Sequence, residues 1–274
     1  MDGLEILTPR PFDDASALLD DPPALRRVAG ARGYLFLPGL LDPRRVRSLR
    51  RGALAACAAL GLVGARGRAW PGVRLVPNDS PAWLELQARV APRPAFQALA
   101  RDRRLMAVLA ALFDADPAGG RGDVCRVFLP GAPEHTTPPH QDYFFLRANG
   151  FAASDRTWAA WIPLGDCPRA VGGLAVIPGS HRDGLLPHVA RDRRGPEVAV
   201  PADACWASSP MRAGDVVLVD CFTIHCGLPN ATRDRVRLSV DFRYQPSTGA
   251  EAHRSGPRAA SPGDGSFRGS TGRS

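Results

Sequence analysis

The pattern of apolar and polar positions divides the chain into a helical first part and a strand-rich second part. Helical spacing predicts helices from Pro43 to about residue 60, near 81–90, and over 93–113 with a break at Asp102. Asp42 precedes the first of these as a capping residue, and Pro43 stands where a missing N–H costs nothing. A short strand and turn are predicted at 35–41, and the Gly-rich segment 116–122 is predicted to be a turn-rich boundary.

After this boundary, short apolar runs alternate with Gly and Pro. Six strands are predicted, at 124–130, 143–146, 157–164, 173–178, 215–225 and 235–244. Many short strands without long intervening helices indicate an all-β sandwich or barrel. We therefore expect a single domain over 1–245, with helical support at about 12–115 and a β core at about 123–245. Residues 246–274 contain almost no large apolar side chain, and this composition predicts a disordered tail.

Composition places the chain among ordinary globular proteins. Its 274 residues are 45% hydrophobic and 23% charged, and no apolar run approaches the ~18 residues that a membrane span requires. The N-terminus is acidic and polar, unlike a secretory signal, so we expect a cytoplasmic protein with no membrane association. Six cysteines without a CxxC pair favour free thiols over a disulfide framework or a zinc-thiolate site.

The formal net charge of +8 raises the question of a nucleic-acid partner. All basic residues are arginines, and they are scattered apart from one local run at 44–51. No aromatic platform is interleaved with that run, so a solvated helix face is favoured over a phosphate-binding patch. Nucleic acid is therefore not an expected partner, and no obligate protein partner is evident.

Candidate metal chemistry rests on three residues. His140 and Asp142 are two apart at the start of a predicted strand, so their side chains would share one face. His225 stands at the end of the apolar run 215–225, which is predicted to be a buried strand. Two histidines and one carboxylate form the facial triad that leaves coordination positions open for a cosubstrate and O₂. A core histidine held by a hydrogen bond would explain His225 alone equally well.

The last predicted strand alternates strictly between apolar and polar side chains. Val236, Leu238 and Val240 are apolar, while Arg237 and Ser239 lie on the opposite face. That polar face would lie in solvent on a simple amphipathic strand, or in the lumen of a barrel. In a lumen, Arg237 offers a planar fork to a carboxylate beside the Ser239 hydroxyl, which suits a dicarboxylate cosubstrate that chelates the metal.

These motifs resemble the phytanoyl-CoA dioxygenase family of Fe(II)/2-oxoglutarate oxygenases. The resemblance rests on HQD at 140–142, WIPLGD at 161–166, GGLAVIPGSH at 172–181 and the segment 214–230 running into the last strand. It implies a double-stranded β-helix (jelly-roll, cupin-like) core with an N-terminal helical layer. The implied cofactor is Fe(II), with 2-oxoglutarate and O₂ as cosubstrates.

The resemblance also assigns roles to individual residues. His140, Asp142 and His225 match the iron-ligand positions, and Arg237 matches the arginine that binds the distal 2-oxoglutarate carboxylate. The loop after Asn230 is one residue longer than is usual in the family, so Arg235 competes with Arg237 for that role. Trp161 resembles an aromatic that flanks the cosubstrate, with core packing as its alternative, and His181 lies in a Pro-Gly-Ser turn that is structural in the family rather than a ligand. Apart from the resemblance, His135, His188 and His253 are expected to be solvated because they lie in predicted loops or in the tail.

The reaction implied is hydroxylation of an unactivated C–H bond in a small-molecule metabolite. Halogenating relatives lack a carboxylate at the position of Asp142, so this residue favours hydroxylation, while desaturation, epimerisation and cyclisation use the same chemistry. Two alternatives remain open at this point. They are a nucleic-acid demethylase, which carries two arginines spaced like Arg237 and Arg243, and a non-redox cupin-like metal-binding protein, which has no need of Arg237 and Ser239.

Overall fold

The computed structural model of the chain describes residues 9–64, 67–69, 80–120, 122–131, 136–151, 153–190 and 195–247. Six α-helices lie within these residues: α1 (Pro22–Arg32), α2 (Pro43–Ala59), α3 (Pro81–Val90), α4 (Pro94–Ala100), α5 (Arg103–Phe113) and α6 (Asp142–Ala148). The first five occupy the part of the chain where the periodicity predicts helix, and the predicted break at Asp102 separates α4 from α5.

Short polar side chains cap the N-termini of several of these helices. Asp42 accepts a hydrogen bond from the Arg44 N–H at 2.8 Å, as its place before Pro43 predicts. Asp102 accepts one from the Arg104 N–H at the start of α5, which explains why the long apolar segment divides there. These caps satisfy backbone N–H groups that have no partner inside the helix.

The strands are short except for the last one. They are β1 (Tyr34–Leu37), β2 (Pro117–Gly119), β3 (Val124–Phe128), β4 (Trp158–Pro163), β5 (Leu174–Val176), β6 (His188–Ala190), β7 (Pro196–Val198), β8 (Val216–Asp220), β9 (His225–Gly227) and β10 (Arg237–Pro246). The main sheet has the antiparallel order β1-β8-β4-β10-β2, and β3 also pairs with β10. Strands β5 and β9 form a second, two-stranded sheet, and β6 pairs with β7. This is the jelly-roll architecture that the resemblance implies.

The two faces of β10 have different environments, as its alternation predicts. Leu238, Val240 and Phe242 belong to the large apolar cluster that includes side chains from α1 to α5. Every residue from Arg237 to Gln245 is buried, so the polar face is not in solvent but inside the barrel. Of the two predicted locations for this polar face, solvent or the barrel lumen, the structure confirms the lumen.

Three predicted elements are wrong in detail. Residues 143–146 belong to helix α6 rather than to a strand, because a short apolar run does not distinguish the two structures. The predicted strand 215–225 divides at a turn, so His225 begins β9 instead of ending β8. The boundary 116–122 contains the short strand β2, which pairs with the end of β10. His135, His253 and the predicted tail beyond residue 247 lie outside the described residues.

Candidate metal centre

The backbone brings His140 and His225 together. The two residues form an isolated antiparallel bridge in which each N–H donates to the other's carbonyl, at 2.9 and 3.0 Å. Their imidazole rings lie with centroids 4.1 Å apart. Residues that exchange both backbone hydrogen bonds lie directly opposite one another, with their side chains on the same face. The two histidines are therefore neighbours in space although they are far apart in the sequence.

The ring nitrogens of both histidines are oriented in the same way. His140 Nδ1 lies 2.8 Å from the Pro138 carbonyl, and His225 Nδ1 lies 2.9 Å from the Thr223 carbonyl. A carbonyl only accepts, so each Nδ1 carries the proton and each Nε2 presents a lone pair. Burial and the neighbouring His140 lower the pKa of His225 to about 4, which keeps its imidazole neutral at neutral pH.

Asp142 completes the group from the first residue of α6. Its Oδ1 lies 3.8 Å from His140 Nε2 and 3.9 Å from His225 Nε2. The prediction that His140 and Asp142 share one face of a strand is therefore wrong, although the two side chains still converge. The chain turns from the bridge at His140 into a helix, and the first helical turn places the carboxylate beside both rings.

Arg243 holds the carboxylate of Asp142 with two hydrogen bonds. Its Nε donates to Oδ2 at 3.0 Å and its Nη2 donates to Oδ1 at 2.9 Å. Burial alone raises the pKa of Asp142, but the guanidinium and the two histidines overcome it and hold the pKa well below 3.8. The carboxylate is therefore ionised and fixed in orientation, as a metal ligand requires.

These three side chains fit a divalent metal ion. One ligand atom from each of His140, Asp142 and His225 lies within 4.8 Å of the others, and all three residues are buried. Two imidazole Nε2 atoms and one ionised carboxylate are the donor set of non-haem ferrous sites.

Gln141 lies between the proposed ligands His140 and Asp142, and its side chain connects this segment to the 184–186 loop and to Phe222 by hydrogen bonds. Its side-chain amide donates to the carbonyls of Gly184 and Phe222 and accepts from the Leu186 N–H. Its backbone N–H donates to His188 Nε2 at 3.1 Å. The expectation that His188 is solvated is wrong, because this half-buried ring also stacks on Phe144.

Arg237 is buried beside the metal group, which is formed by His140, Asp142 and His225, and it forms no ion pair with a carboxylate of the described residues. Its guanidinium lies 3.7 Å from the centre of the Phe128 ring, and its Nη1 donates to the Gly173 carbonyl. Burial lowers the pKa of Arg237 to about 10. Among the described residues, neither Arg237 Nε nor the Ser239 hydroxyl has a hydrogen-bond partner. A buried guanidinium with an unused donor is costly unless an anion binds it.

Further charges line the same cavity. Arg126 pairs with Asp241 across the strands β3 and β10, and Asp241 also lies 4.0 Å from Arg243 Nη2. With Arg237 and Asp142, the lining side chains carry three positive and two negative charges. A divalent metal and a dianionic cosubstrate leave that balance unchanged when they bind together, which favours joint binding.

The other predicted residues lie as follows. Trp161 lines the metal cavity from β4 and also packs in an apolar cluster with Val217 and Val219, so both of its predicted roles have a structural basis. Arg235 is exposed and faces a different cavity, while Arg237 lines the cavity of the metal group. His181 lies outside the metal group, with its Nε2 at 3.0 Å from the Gly30 carbonyl.

Sequence reasoning missed the roles of Arg243 and Gln141. The sequence alone indicates only the spacing of Arg243 from Arg237, because the contact of Arg243 with Asp142 joins residues that are distant in the chain. The burial of a whole polar strand face is the signal that could have found it, because charges on such a face require partners.

Comparison with known proteins decides the family. The phytanoyl-CoA dioxygenase (PhyH) pattern matches residues 31–238, which is most of the chain. This protein belongs to the PhyH family. It is 32% identical over 260 residues to a 1-deoxypentalenic acid 11-beta-hydroxylase of Streptomyces arenae, covering 89% of this chain and 87% of that protein. The enzyme of the same name from Streptomyces exfoliatus is 30% identical over 277 residues, with the same coverage.

Solved structures share the fold of this PhyH protein. The epimerase SnoN, in complex with Fe³⁺, alpha ketoglutarate and nogalamycin RO, superposes with a TM-score of 0.59 at 24% identity, over 83% of this chain and 86% of SnoN. The family and its hydroxylase relatives identify the chain as a 2-oxoglutarate-dependent dioxygenase. Within the described residues, no helix combines the length and apolar character needed to cross a membrane.

Proposed function

We propose that this enzyme hydroxylates an unactivated C–H bond of a small-molecule metabolite, with Fe(II) bound by His140, Asp142 and His225. The similarity to two hydroxylases named for a small organic acid, 1-deoxypentalenic acid, supports both the reaction and the substrate class. When bound, ferrous iron with 2-oxoglutarate and O₂ supplies the oxidising power, and 2-oxoglutarate is converted to succinate and CO₂.

The observation that carries this proposal is the position of Arg237. Its buried guanidinium, which has no carboxylate partner in the part of the chain that the structure describes, lines the cavity that holds the two histidines and Asp142. A non-redox metal protein has no need of such a group, whereas a dicarboxylate cosubstrate supplies its missing anion. Arg237 would bind the distal carboxylate with help from the Ser239 hydroxyl, and Trp161 would form one wall of the cosubstrate site.

The remaining residues keep the reacting centre ordered and dry. Pro138 and Thr223 fix the two imidazole rings through their carbonyls, and Arg243 fixes the carboxylate of Asp142. Burial of all three proposed ligands excludes bulk water from the metal, which limits unproductive reaction when no substrate is present.

The proposal is tested by 2-oxoglutarate turnover, scored as succinate, across a library of small metabolites with Fe(II) and O₂. A true substrate stimulates succinate formation and gains one oxygen atom in equal amount, and Asp142→Ala removes both signals. Arg237→Ala raises the KM for 2-oxoglutarate by about 10- to 100-fold, as loss of a charge-assisted pair predicts, while Arg235→Ala leaves it unchanged. Turnover that is insensitive to Arg237→Ala and sensitive to Arg235→Ala would reverse the assignment of the anchor.

A further inference from the structure

A second cavity lies between helix α2 and the end of the barrel. It has a volume of about 280 Å³, and its polar lining side chains are Arg47, Arg50, Asp166, Cys167, Arg235 and Arg237. Because one water molecule takes up about 30 Å³ of liquid, this volume holds a phosphate group with water to spare. Arg237 is shared with the metal cavity, but the other arginines are not.

The guanidinium groups in this cavity have few partners. Among the described residues, Arg47 and Arg50 form no side-chain hydrogen bond or ion pair, and Arg235 forms one long bond, 3.4 Å from its Nη2 to the Asp166 carbonyl. Asp166 carries the one carboxylate among the lining residues, and it accepts from the Ala213 N–H. With Arg237, four guanidinium groups therefore line a cavity that contains one carboxylate.

Arg50 is held inside the cavity rather than in solvent. It is half-buried, and burial together with the charge of Arg235 lowers its pKa. Its Nη1 lies 3.1 Å from the position that a side chain on Gly165 would occupy, so the glycine provides the space for the guanidinium. The expectation that the arginine run on α2 is simply a solvated face is therefore wrong for Arg50.

We propose that the cavity of Arg47, Arg50 and Arg235 is a binding site for a phosphate group, separate from the metal centre. Asp166 compensates only part of the positive charge in this cavity, so a bound anion would stabilise it, and the planar fork of arginine matches the oxygens of phosphate. Arg47 and Arg50 belong to α2 and Arg235 lies in the segment just before β10, so two separate parts of the chain supply donors to the cavity. The site accepts either inorganic phosphate or the phosphate of an organic monoester.

The test is isothermal titration calorimetry of the metal-free protein with inorganic phosphate, at constant ionic strength maintained with chloride. Saturable binding is expected, and Arg47→Gln and Arg235→Gln each weaken it by about tenfold or more. Both arginines are exposed, so these variants should fold, which circular dichroism verifies. Arg27→Gln, an exposed arginine on α1, removes the same charge elsewhere and should leave phosphate affinity unchanged.

Two further titrations separate the possible ligands. Phenyl phosphate that binds more tightly than inorganic phosphate identifies an organic monoester as the ligand, and equal affinity identifies free phosphate. The proposal is overturned by absence of binding, by equal affinity in all three variants, or by 2-oxoglutarate displacing phosphate from this cavity in the metal-free protein. None of these measurements uses iron or turnover, so their failure leaves the proposed hydroxylase activity untouched.

Discussion

Arg243 and Asp142 form a buried, two-pronged ion pair that joins the last strand of the barrel to the first residue of helix α6. The Nε–Oδ2 and Nη2–Oδ1 distances are 3.0 and 2.9 Å, and both side chains are almost fully buried. A third donor, Nη1, is used by the Gly122 carbonyl, so the guanidinium has little freedom to rotate. The orientation of the proposed carboxylate ligand is therefore set by a residue that does not itself contact the metal.

Replacing Arg243 with lysine tests this positioning role. Lysine keeps the positive charge but not the planar fork, so the carboxylate should lose its fixed orientation without a change in net charge. We expect Fe(II) affinity, measured under anaerobic conditions by titration, to fall by about 10- to 100-fold. Arg147→Lys on the exposed side of the same helix is the control and should bind Fe(II) normally. Unchanged affinity in Arg243→Lys would show that the pair only stabilises the fold.

Gln141→Glu tests the clamp, by which we mean the side-chain hydrogen bonds of Gln141 to the 184–186 loop and to Phe222. The amide nitrogen that donates to two carbonyls becomes a carboxylate oxygen that repels them, in a fully buried position. We expect the free energy of unfolding, measured in urea, to fall by about 3 kcal/mol or more. Gln97→Glu on α4 makes the same chemical change beside Arg101 and should cost much less. Equal losses in the two variants would argue against the clamp.

Gly172→Ala tests the tight approach between the 169–173 turn and the segment after β9. Gly172 has φ of 72°, and an added Cβ would lie 2.3 Å from the Leu228 carbonyl oxygen. Gly150 has a similar φ of 73° with no atom within 4 Å of the added Cβ, so Gly150→Ala isolates the backbone cost of about 1 kcal/mol. Urea unfolding should show a distinctly larger loss for Gly172→Ala. Similar losses would mean that the backbone relaxes and the contact does not matter.

The pH dependence of stability should reveal Asp220 at the end of β8. Burial, only partly offset by the Phe222 N–H, raises the pKa of Asp220 to about 6. A carboxyl whose pKa is raised by folding stabilises the native state below its unfolded pKa of about 4, and this contribution is lost as pH rises through 6. Asp220→Asn avoids the loss, so its advantage over the parent protein should grow between pH 4 and pH 8.

Solvent screens the half-buried Asp220, so the expected gain at pH 8 is roughly 1 kcal/mol, or about 2–4 °C in Tm. Thermal melts at both pH values measure it, with the exposed Asp20→Asn as the control. A gain of the same size at pH 4 and pH 8 would contradict a raised pKa.

The sequence predicted those parts of the site that depend on local pattern. Strict alternation in β10 placed Arg237 and Ser239 on one face, and the structure places that face in the lumen. The helix cap at Asp42 and the helix break at Asp102 were likewise local signals. Local pattern could not assign residues 143–146, because four apolar residues fit a strand or one helical turn equally well.

The contacts that orient the proposed ligands were beyond prediction for a different reason. The bridge between His140 and His225 depends on how the small sheet closes over the large one. The pair between Arg243 and Asp142 depends on the same closure. Pairings between distant segments follow from the completed barrel, and the type of residue alone does not identify the partner.

The central claim is that His140, Asp142 and His225 hold ferrous iron beside a 2-oxoglutarate site anchored by Arg237. Anaerobic addition of Fe(II) and 2-oxoglutarate, followed by visible absorption, tests it most directly, because the band arises only when 2-oxoglutarate chelates the bound metal. We expect a weak visible charge-transfer band that is lost in His225→Ala and needs a higher 2-oxoglutarate concentration in Arg237→Ala. A folded protein that shows no band, or a band that persists in His225→Ala, would contradict the account.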